Sequence, residues 1–189
     1  EGVIHDTYYG YDEYGNLTYV LPPLVDLDNL DLDGLCYQYK YDHRNRLAAK
    51  KLPGKQWEYI AYNSQDKPIA TGPALDPFGG THEGWMVTKY DIFGRVVYTG
   101  WYNGTSVNEA GRVSMENAVT GSSWYETATS SSTMIDGVEV NYSNTIAPTS
   151  LLLLTVNYYD GYIIPGLPTN MITNTVEGEN VSTNVKGLA

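Results

Sequence analysis

Apolar and polar residues alternate along several short stretches of the chain, as they do in half-buried β-strands. Tyr37–Tyr41 reads Tyr-Gln-Tyr-Lys-Tyr, and Trp57–Tyr62 reads Trp-Glu-Tyr-Ile-Ala-Tyr. Because successive side chains of a strand point to opposite faces, a spacing of two gives such a stretch an aromatic face. Leu17–Leu21 and Val96–Trp101 are also rich in β-branched and aromatic residues. These stretches predict a mainly β fold.

A Tyr-Asp pair, or a close variant, recurs along the chain, with Gly, Asn or Asp three residues after the Asp. The four copies are Tyr11-Asp12 with Gly15, Tyr41-Asp42 with Asn45, Tyr62-Asn63 with Asp66, and Tyr90-Asp91 with Gly94. Asp and Asn side chains accept backbone N–H groups just downstream, and Gly, Asn and Asp tolerate a positive φ. The spacing predicts a type I turn, a left-handed residue and a bulge. Each copy is therefore predicted to be a β-hairpin, and Tyr159-Asp160 begins a fifth match.

The predicted hairpins have two structural consequences. Gly94 is expected to have a positive φ and to resist substitution by valine, whereas Gly104 is expected to lie in a tolerant loop. A sheet of consecutive hairpins also has two outer strands with unpaired backbone groups. These edges are expected near Tyr8–Tyr11 and Leu151–Tyr159.

The segment 103–150 interrupts the repeat. A capping-box pattern, Ser106-Val107-Asn108-Glu109, precedes apolar residues at helical spacing and predicts one short helix over 106–119. The Ser- and Thr-rich stretch 121–133 is predicted to be a loop, and 138–142 a strand. We therefore expect Tyr-Asp hairpins over 1–102, an insertion over 103–150, and a further repeat strand with an extended tail over 151–189.

Composition narrows the classes of partner. The net charge is −11, from 11 Lys and Arg against 22 Asp and Glu, so binding to nucleic acid or to an anionic membrane is disfavoured. No apolar stretch has the length of about 20 residues that crosses a bilayer, so we expect no membrane insertion. The single cysteine, Cys36, is expected to be a small core residue. Because the chain begins at Glu1, we expect it to be a piece of a longer product.

The sequence offers few candidates for chemistry. Asn29–Gly34 begins like a calcium loop, but Lys40 stands where a bidentate Glu should close it, so a solvated strand edge or loop is the preferred interpretation. His5, His43 and His82 do not have metal-ligand spacing. Neither a nucleophile motif nor a phosphate-binding glycine loop is present. We expect no catalytic residues, no metal and no cofactor.

Tyr90-Asp91-Ile92-Phe93-Gly94-Arg95-Val96 resembles the Tyr-Asp-x-x-Gly-Arg-Leu repeat of YD-repeat proteins, which include Rhs proteins, insecticidal toxin-complex subunits and teneurins. Tyr41–Leu47 matches except at Asn45, and Tyr62–Pro68 is a weaker copy. The resemblance extends over residues 8–102. Stretches of this part of the chain also resemble bacterial RHS-repeat cell-surface proteins.

The resemblance implies a structural role. In that family consecutive β-hairpins form a curved sheet that is part of a hollow shell, which encloses a toxin or serves adhesion. It implies a secreted or cell-surface, non-enzymatic chain whose partners are neighbouring repeats. The family's self-cleaving protease carries an Asp-Pro-x-Gly motif, but around Asp76-Pro77-Phe78-Gly79-Gly80 the rest of that region is missing. An ordinary turn is expected there.

Two other classes of function stay open. The aromatic residues could present their faces to a glycan or a protein partner, although they equally suit cross-strand packing. The candidates on the sheet are Trp57, Tyr59, Trp85, Trp101 and Tyr102, and further tyrosines precede them at Tyr8, Tyr9, Tyr11 and Tyr14. A glycoside hydrolase would need two paired carboxylates. The sequence gives no reason to choose a pair among Glu58, Glu83, Glu109 and Glu126.

Overall fold

The computed structural model describes residues 6–23, 31–121, 123–160 and 165, and the backbone of two short strands at 175–176 and 179–180. Apart from these two strands, the predicted tail after 169 lies outside the described residues. The acidic residues Asp26 and Asp28 also lie outside them. The elements in chain order are β1 (Tyr8–Tyr11), β2 (Leu17–Leu21), α1 (Leu32–Leu35), β3 (Tyr37–Tyr41), β4 (Leu47–Lys51), β5 (Trp57–Tyr62), β6 (Pro68–Leu75), β7 (Glu83–Tyr90), β8 (Val96–Tyr102), α2 (Glu109–Val119), β9 (Ala128–Ile135), β10 (Val138–Tyr142), β11 (Leu152–Val156), β12 (Thr175–Val176) and β13 (Glu179–Asn180).

The main sheet has nine strands in the order β1-β2-β3-β4-β5-β6-β7-β8-β11. Neighbouring strands are antiparallel throughout, so the sheet consists of four consecutive hairpins followed by β11. The predicted mainly β fold of consecutive antiparallel hairpins, with a short helix in an insertion, is confirmed. The outer strands are β1 and β11, which confirms the two expected edges.

The turn geometry predicted for the four Tyr-Asp copies is also confirmed. The residue three positions after the Asp or Asn has a positive φ in every copy: 83° at Gly15, 58° at Asn45, 59° at Asp66 and 76° at Gly94. Beside each turn the register of the two strands shifts by one residue, as a bulge requires. Local turn chemistry therefore sets the hairpins.

The insertion packs against the C-terminal half of the sheet. Helix α2 contacts β5, and β9 and β10 form a separate two-stranded hairpin. The buried core joins Trp85 and Val87 of the sheet to Met115 of α2, Val140 of β10 and Ile146. The first hairpin has no such cover, and Tyr8, Tyr9, Tyr11 and Tyr14 are all at least half exposed.

Three details of the sequence-based expectation were wrong. The helix begins at Glu109 with Asn108 as its N-cap, because the Asn108 side chain accepts the Gly111 N–H and Ser106 lies outside the helix. The second part of 121–133 is not a loop, since β9 pairs with β10 from Ala128 onward. A second helix, α1, lies where a strand edge or loop was expected, because the Asp31 carboxylate caps it by accepting the Gly34 N–H.

Gly94→Val is expected to lower the free energy of unfolding by about 1–2 kcal/mol or more, because a β-branched residue is strained at positive φ. Urea denaturation measures the change. Gly104 is a poor control, since a Cβ there would lie 2.6 Å from the Tyr102 ring.

Gly94→Asn is the matched control for this substitution. It displaces the same neighbour, the flexible end of Lys67, but asparagine already occupies the equivalent left-handed position at Asn45. We expect it to cost clearly less than Gly94→Val. Equal costs for the two substitutions would contradict a requirement for positive φ.

Candidate functional site at the junctions between hairpins

Each Tyr-Asp turn is closed by the side chain of its Asp or Asn. In the fourth hairpin, Asp91 Oδ1 accepts the backbone N–H groups of Phe93 and Arg95, each at 2.9 Å. The Asp91 N–H donates to the Arg95 carbonyl, and the Gly94 N–H donates to the Asp91 carbonyl. The same set of contacts recurs at Asp12, Asp42 and Asn63. One side chain therefore satisfies two turn N–H groups that strand pairing leaves free.

The second carboxylate oxygen binds the side chain four residues after the Asp. Arg46 Nε donates to Asp42 Oδ2 at 2.7 Å, and Arg95 Nε donates to Asp91 Oδ2 at 2.6 Å. Burial alone would raise the pKa of Asp42, but the turn N–H groups and Arg46 outweigh it and hold that pKa below its ordinary value. In the third hairpin Asn63 replaces Asp, and its buried Nδ2 finds no acceptor among the described residues.

From the second pair onward, the tyrosine links its segment of the chain to the preceding hairpin. The hydroxyl donates to the carbonyl of the first residue in the preceding return strand. The four bonds are Tyr41 to Leu17 at 3.0 Å, Tyr62 to Leu47 at 3.0 Å, Tyr90 to Pro68 at 2.6 Å, and Tyr159 to Val96 at 2.9 Å. Tyr159 thus occupies the position of a fifth repeat tyrosine. Phenylalanine could not make this bond, so these four positions require a tyrosine.

At three of these junctions a cation covers the tyrosine ring. Arg46 lies 4.5 Å from the centroid of Tyr62, Lys67 lies 5.4 Å from Tyr90, and Arg95 lies 4.3 Å from Tyr159. The cation is always the residue four positions after the Asp or Asn of the preceding turn. In the second and fourth hairpins that Arg joins its own turn carboxylate to the next tyrosine. The Asp and Arg of one repeat and the Tyr of the next repeat therefore form one connected junction.

The structure corrects part of the list of candidate binding aromatics. Trp85 is completely buried and donates its Nε1–H to the Thr105 carbonyl, and Trp101 is 5% exposed and donates to the Ala74 carbonyl. Both side chains pack in the protein interior, so neither ring presents a face to a ligand. Trp57, Tyr59 and Tyr102 are half-buried, and Lys40 lies 4.2 Å above the Trp57 ring.

A buried ion pair attaches the insertion to the sheet. Lys89 of β7 and Glu126 of the insertion are 3.0 Å apart, and their side chains are 3% and 0% exposed. The Lys89 ammonium also donates to Asn144 Oδ1 at 2.8 Å and to the Ile146 carbonyl. The Tyr98 hydroxyl adds bonds to Glu126 and Asn144. Sequence reasoning named Glu126 only as one of four carboxylates, because nothing local marks its partner 37 residues away.

The surroundings of Glu126 stabilise its charged form. Burial would raise its pKa, but the Lys89 ammonium, the Ser143 hydroxyl and the N–H groups of Thr145 and Ile146 outweigh burial and lower the pKa below its ordinary value. Burial raises the pKa of Tyr98, so its hydroxyl remains a donor. The cavity beside the pair is about 10 Å³, room for at most one water molecule. The cluster has the geometry of a structural attachment, not of a substrate site.

The four carboxylates considered for hydrolysis do not form a pair. Each binds a different partner: Glu58 binds Lys50, Glu83 binds Gln56, Glu109 binds Arg112 and Glu126 binds Lys89. Within the described ranges no three His, Cys, Asp or Glu residues converge on a metal position. His5 and Asn29 of the metal candidates lie outside those ranges.

The remaining candidates have structural partners. Asp33 binds Lys51 and Gln38. Asp76 Oδ1 accepts the Phe78 N–H, as in an ordinary turn. Cys36 is buried as expected, and burial raises the pKa of its thiol. None of the helices in the described part of the chain is long and apolar enough to cross a membrane.

No protein-family model matches the chain, and no curated protein matches it significantly.

Tyr90→Phe is expected to lower the free energy of unfolding by about 1 kcal/mol, because it removes the hydroxyl that donates to the Pro68 carbonyl. Tyr14→Phe is the control, since Tyr14 is 71% exposed and its hydroxyl donates to no described residue. Chemical denaturation of both variants measures the difference. If the two variants lose the same stability, the junction bond contributes nothing.

Glu126→Gln is expected to destabilise the protein by about 3 kcal/mol at neutral pH, because it leaves Lys89 buried without its counter-charge. Since the folded-state pKa of Glu126 is lowered, its contribution is present above the unfolded pKa and is lost as pH falls through the folded value. The wild-type and variant curves should therefore converge in acid. Urea denaturation across a pH series measures both effects.

Glu58→Gln is the matched control for the buried pair. Glu58 and Lys50 form an exposed ion pair, with side chains 45% and 38% exposed, so its loss should cost less than about 1 kcal/mol. A cost equal to that of Glu126→Gln would show that burial of the Lys89 pair has no special weight.

Proposed function

We propose that this chain is a non-enzymatic scaffold segment of a secreted or cell-surface protein of the RHS/YD-repeat class. Its hairpins would contribute to a β-sheet wall that encloses or presents a toxin or an adhesive domain. The observation that carries the proposal is the repeated junction, in which a tyrosine hydroxyl bonds to the return strand of the preceding hairpin at four successive places. Three of these bonds join two hairpins, and the fourth comes from Tyr159, which follows β11.

The junction has the properties that a repeat scaffold requires. Each hairpin is joined to its neighbours by strand pairing and by the tyrosine bond, so stability accumulates from neighbour to neighbour. The partners of this sheet are then adjacent repeats of the same polypeptide. The resemblance of the Tyr-Asp-x-x-Gly-Arg sequence to YD repeats supports the same class.

The arrangement of charged groups supports a structural role over catalysis. The most deeply buried pair, Lys89 and Glu126, has its hydrogen bonds satisfied by the insertion and has no adjoining space for a substrate. Of the carboxylates considered for hydrolysis, Glu58 binds Lys50 and Glu83 binds Gln56. A catalytic group must be accessible to the substrate and must have a titratable neighbour with a shifted pKa in the same cleft.

The purified chain is expected to release no product from panels of glycoside, peptide and phosphoester substrates. The assays should include Glu126→Gln and Glu58→Gln, which remove a buried and an exposed carboxylate respectively. Reproducible turnover that one of these single substitutions abolishes, with the fold retained by circular dichroism, would overturn the non-enzymatic assignment.

Surface location has a separate test. Antibodies raised against the purified chain are expected to label intact cells that make the parent protein, and external protease should remove the label. Labelling only after the cells are permeabilised would contradict a cell-surface scaffold. A secreted parent would instead be recovered from the culture medium.

A further inference from the structure

The junction between the first two hairpins differs from the other three. At the other junctions, the residue four positions after the turn Asp or Asn is Arg46, Lys67 or Arg95, and its charge lies over the next tyrosine ring. In the first hairpin that residue is Asn16. Its amide donates to Asp12 Oδ2 at 3.0 Å and to Asn45 Oδ1 at 3.3 Å. In the described part of the chain, no Lys or Arg lies over the Tyr41 ring.

A groove lies at this junction. Strands β2 and β3 pair only at Tyr19 with Gln38 and at Val20 with Tyr37, so their ends separate toward the turns. The opening has a volume of about 630 Å³, within the roughly 300–1,000 Å³ range of ligand pockets. Four tyrosines and two turn carboxylates contribute to its lining: Tyr14, Tyr19, Tyr39, Tyr41, Asp12 and Asp42.

The groove lies in an acidic part of the chain. Lys40 and His43 also contribute to its lining, and the Lys40 ammonium lies over the Trp57 ring. The first 39 residues contain eight Asp and Glu and neither Lys nor Arg. Asp42 has Arg46 as its counter-charge, whereas Asp12 binds only backbone N–H groups and the neutral Asn16 amide. Asp12 and the Tyr41 ring face the same opening. A positively charged group placed there would meet both an aromatic face and a carboxylate.

We propose that this groove binds an arginine side chain presented by a basic peptide segment of a partner. The guanidinium would lie over Tyr41 and bond to Asp12, and so supply from outside the cation that Arg46 and Arg95 supply at their junctions. Arginine fits better than lysine, because its flat guanidinium stacks on a ring and forks onto a carboxylate. The proposal concerns a ligand and does not depend on the shell role proposed above.

Other ligands fit the groove less well. A proline-rich peptide offers carbonyl acceptors but few donors, so it would leave the carboxylates of Asp12 and Asp42 without new partners. An oligosaccharide could stack on the tyrosines, but it would leave the excess negative charge of this hairpin uncompensated. A sulfated glycan would be repelled by that charge.

The test is an NMR titration of the ¹⁵N-labelled full chain with the blocked peptide acetyl-Gly-Arg-Gly-amide. Shifts are expected in amides of 12–16 and 39–45, with affinity falling as salt increases. The same peptide with citrulline, which is nearly isosteric and uncharged, should bind at least about fivefold more weakly. Equal binding of the two peptides, binding of neither, or a stronger response to cellotetraose would overturn the proposal.

Asn16→Arg is the decisive variant, because it places a cation from the chain itself at this junction. It should abolish the response to the arginine peptide and raise the melting temperature. Gln65→Arg adds the same charge to the exposed turn of the third hairpin and should leave peptide binding unchanged. If Asn16→Arg binds the peptide as the wild type does, the ligand does not occupy the position over Tyr41.

Discussion

The carboxylate of the turn aspartate is the interaction on which the sheet depends. Its first oxygen holds two N–H groups of the turn, and its second oxygen fixes the Arg four residues later, as Asp91 does for Arg95. Arg95 then lies over the ring of Tyr159, the tyrosine that follows β11. One local contact is thereby converted into a link between hairpins. Without it, the turn would lose its N–H acceptors and the junction would lose its cation.

The insertion depends on a second, non-repeating constraint. A buried lysine on the sheet requires a counter-charge and further acceptors, and Glu126, Asn144 and Ile146 of the insertion provide them. Because these groups come from separated positions, the insertion can satisfy Lys89 only in its docked arrangement. Met115 of α2 lies beside the pair, and Val140 belongs to the same buried core. The pair thus specifies how the insertion sits on the sheet.

The two halves of the sheet consequently differ in character. The C-terminal hairpins are covered on one face by the insertion, and their junctions are closed by Arg46, Lys67 and Arg95. The first hairpin is largely exposed, and its junction is open because Asn16 is short and uncharged. The groove at this open junction is accessible to a partner, and the arginine-binding proposal is based on it.

The sequence by itself determined the hairpins, because their signals are local. An Asp or Asn followed three residues later by Gly, Asn or Asp defines the turn through bonds within five residues, so Asp91 and Gly94 could be assigned without knowledge of the rest of the fold. The helix in the insertion was likewise marked by local spacing, although its N-cap is Asn108 and not Ser106.

Only the tertiary structure decided the contacts between distant segments. The acceptor of each tyrosine hydroxyl is a backbone carbonyl, which has no sequence signature, and lies 15 to 63 residues away. The pairing of Lys89 with Glu126 and the burial of Trp85 depend on where the insertion docks, and periodicity within a strand does not specify the element that covers it. Whether an aromatic residue packs or faces solvent is therefore a property of the assembled layers.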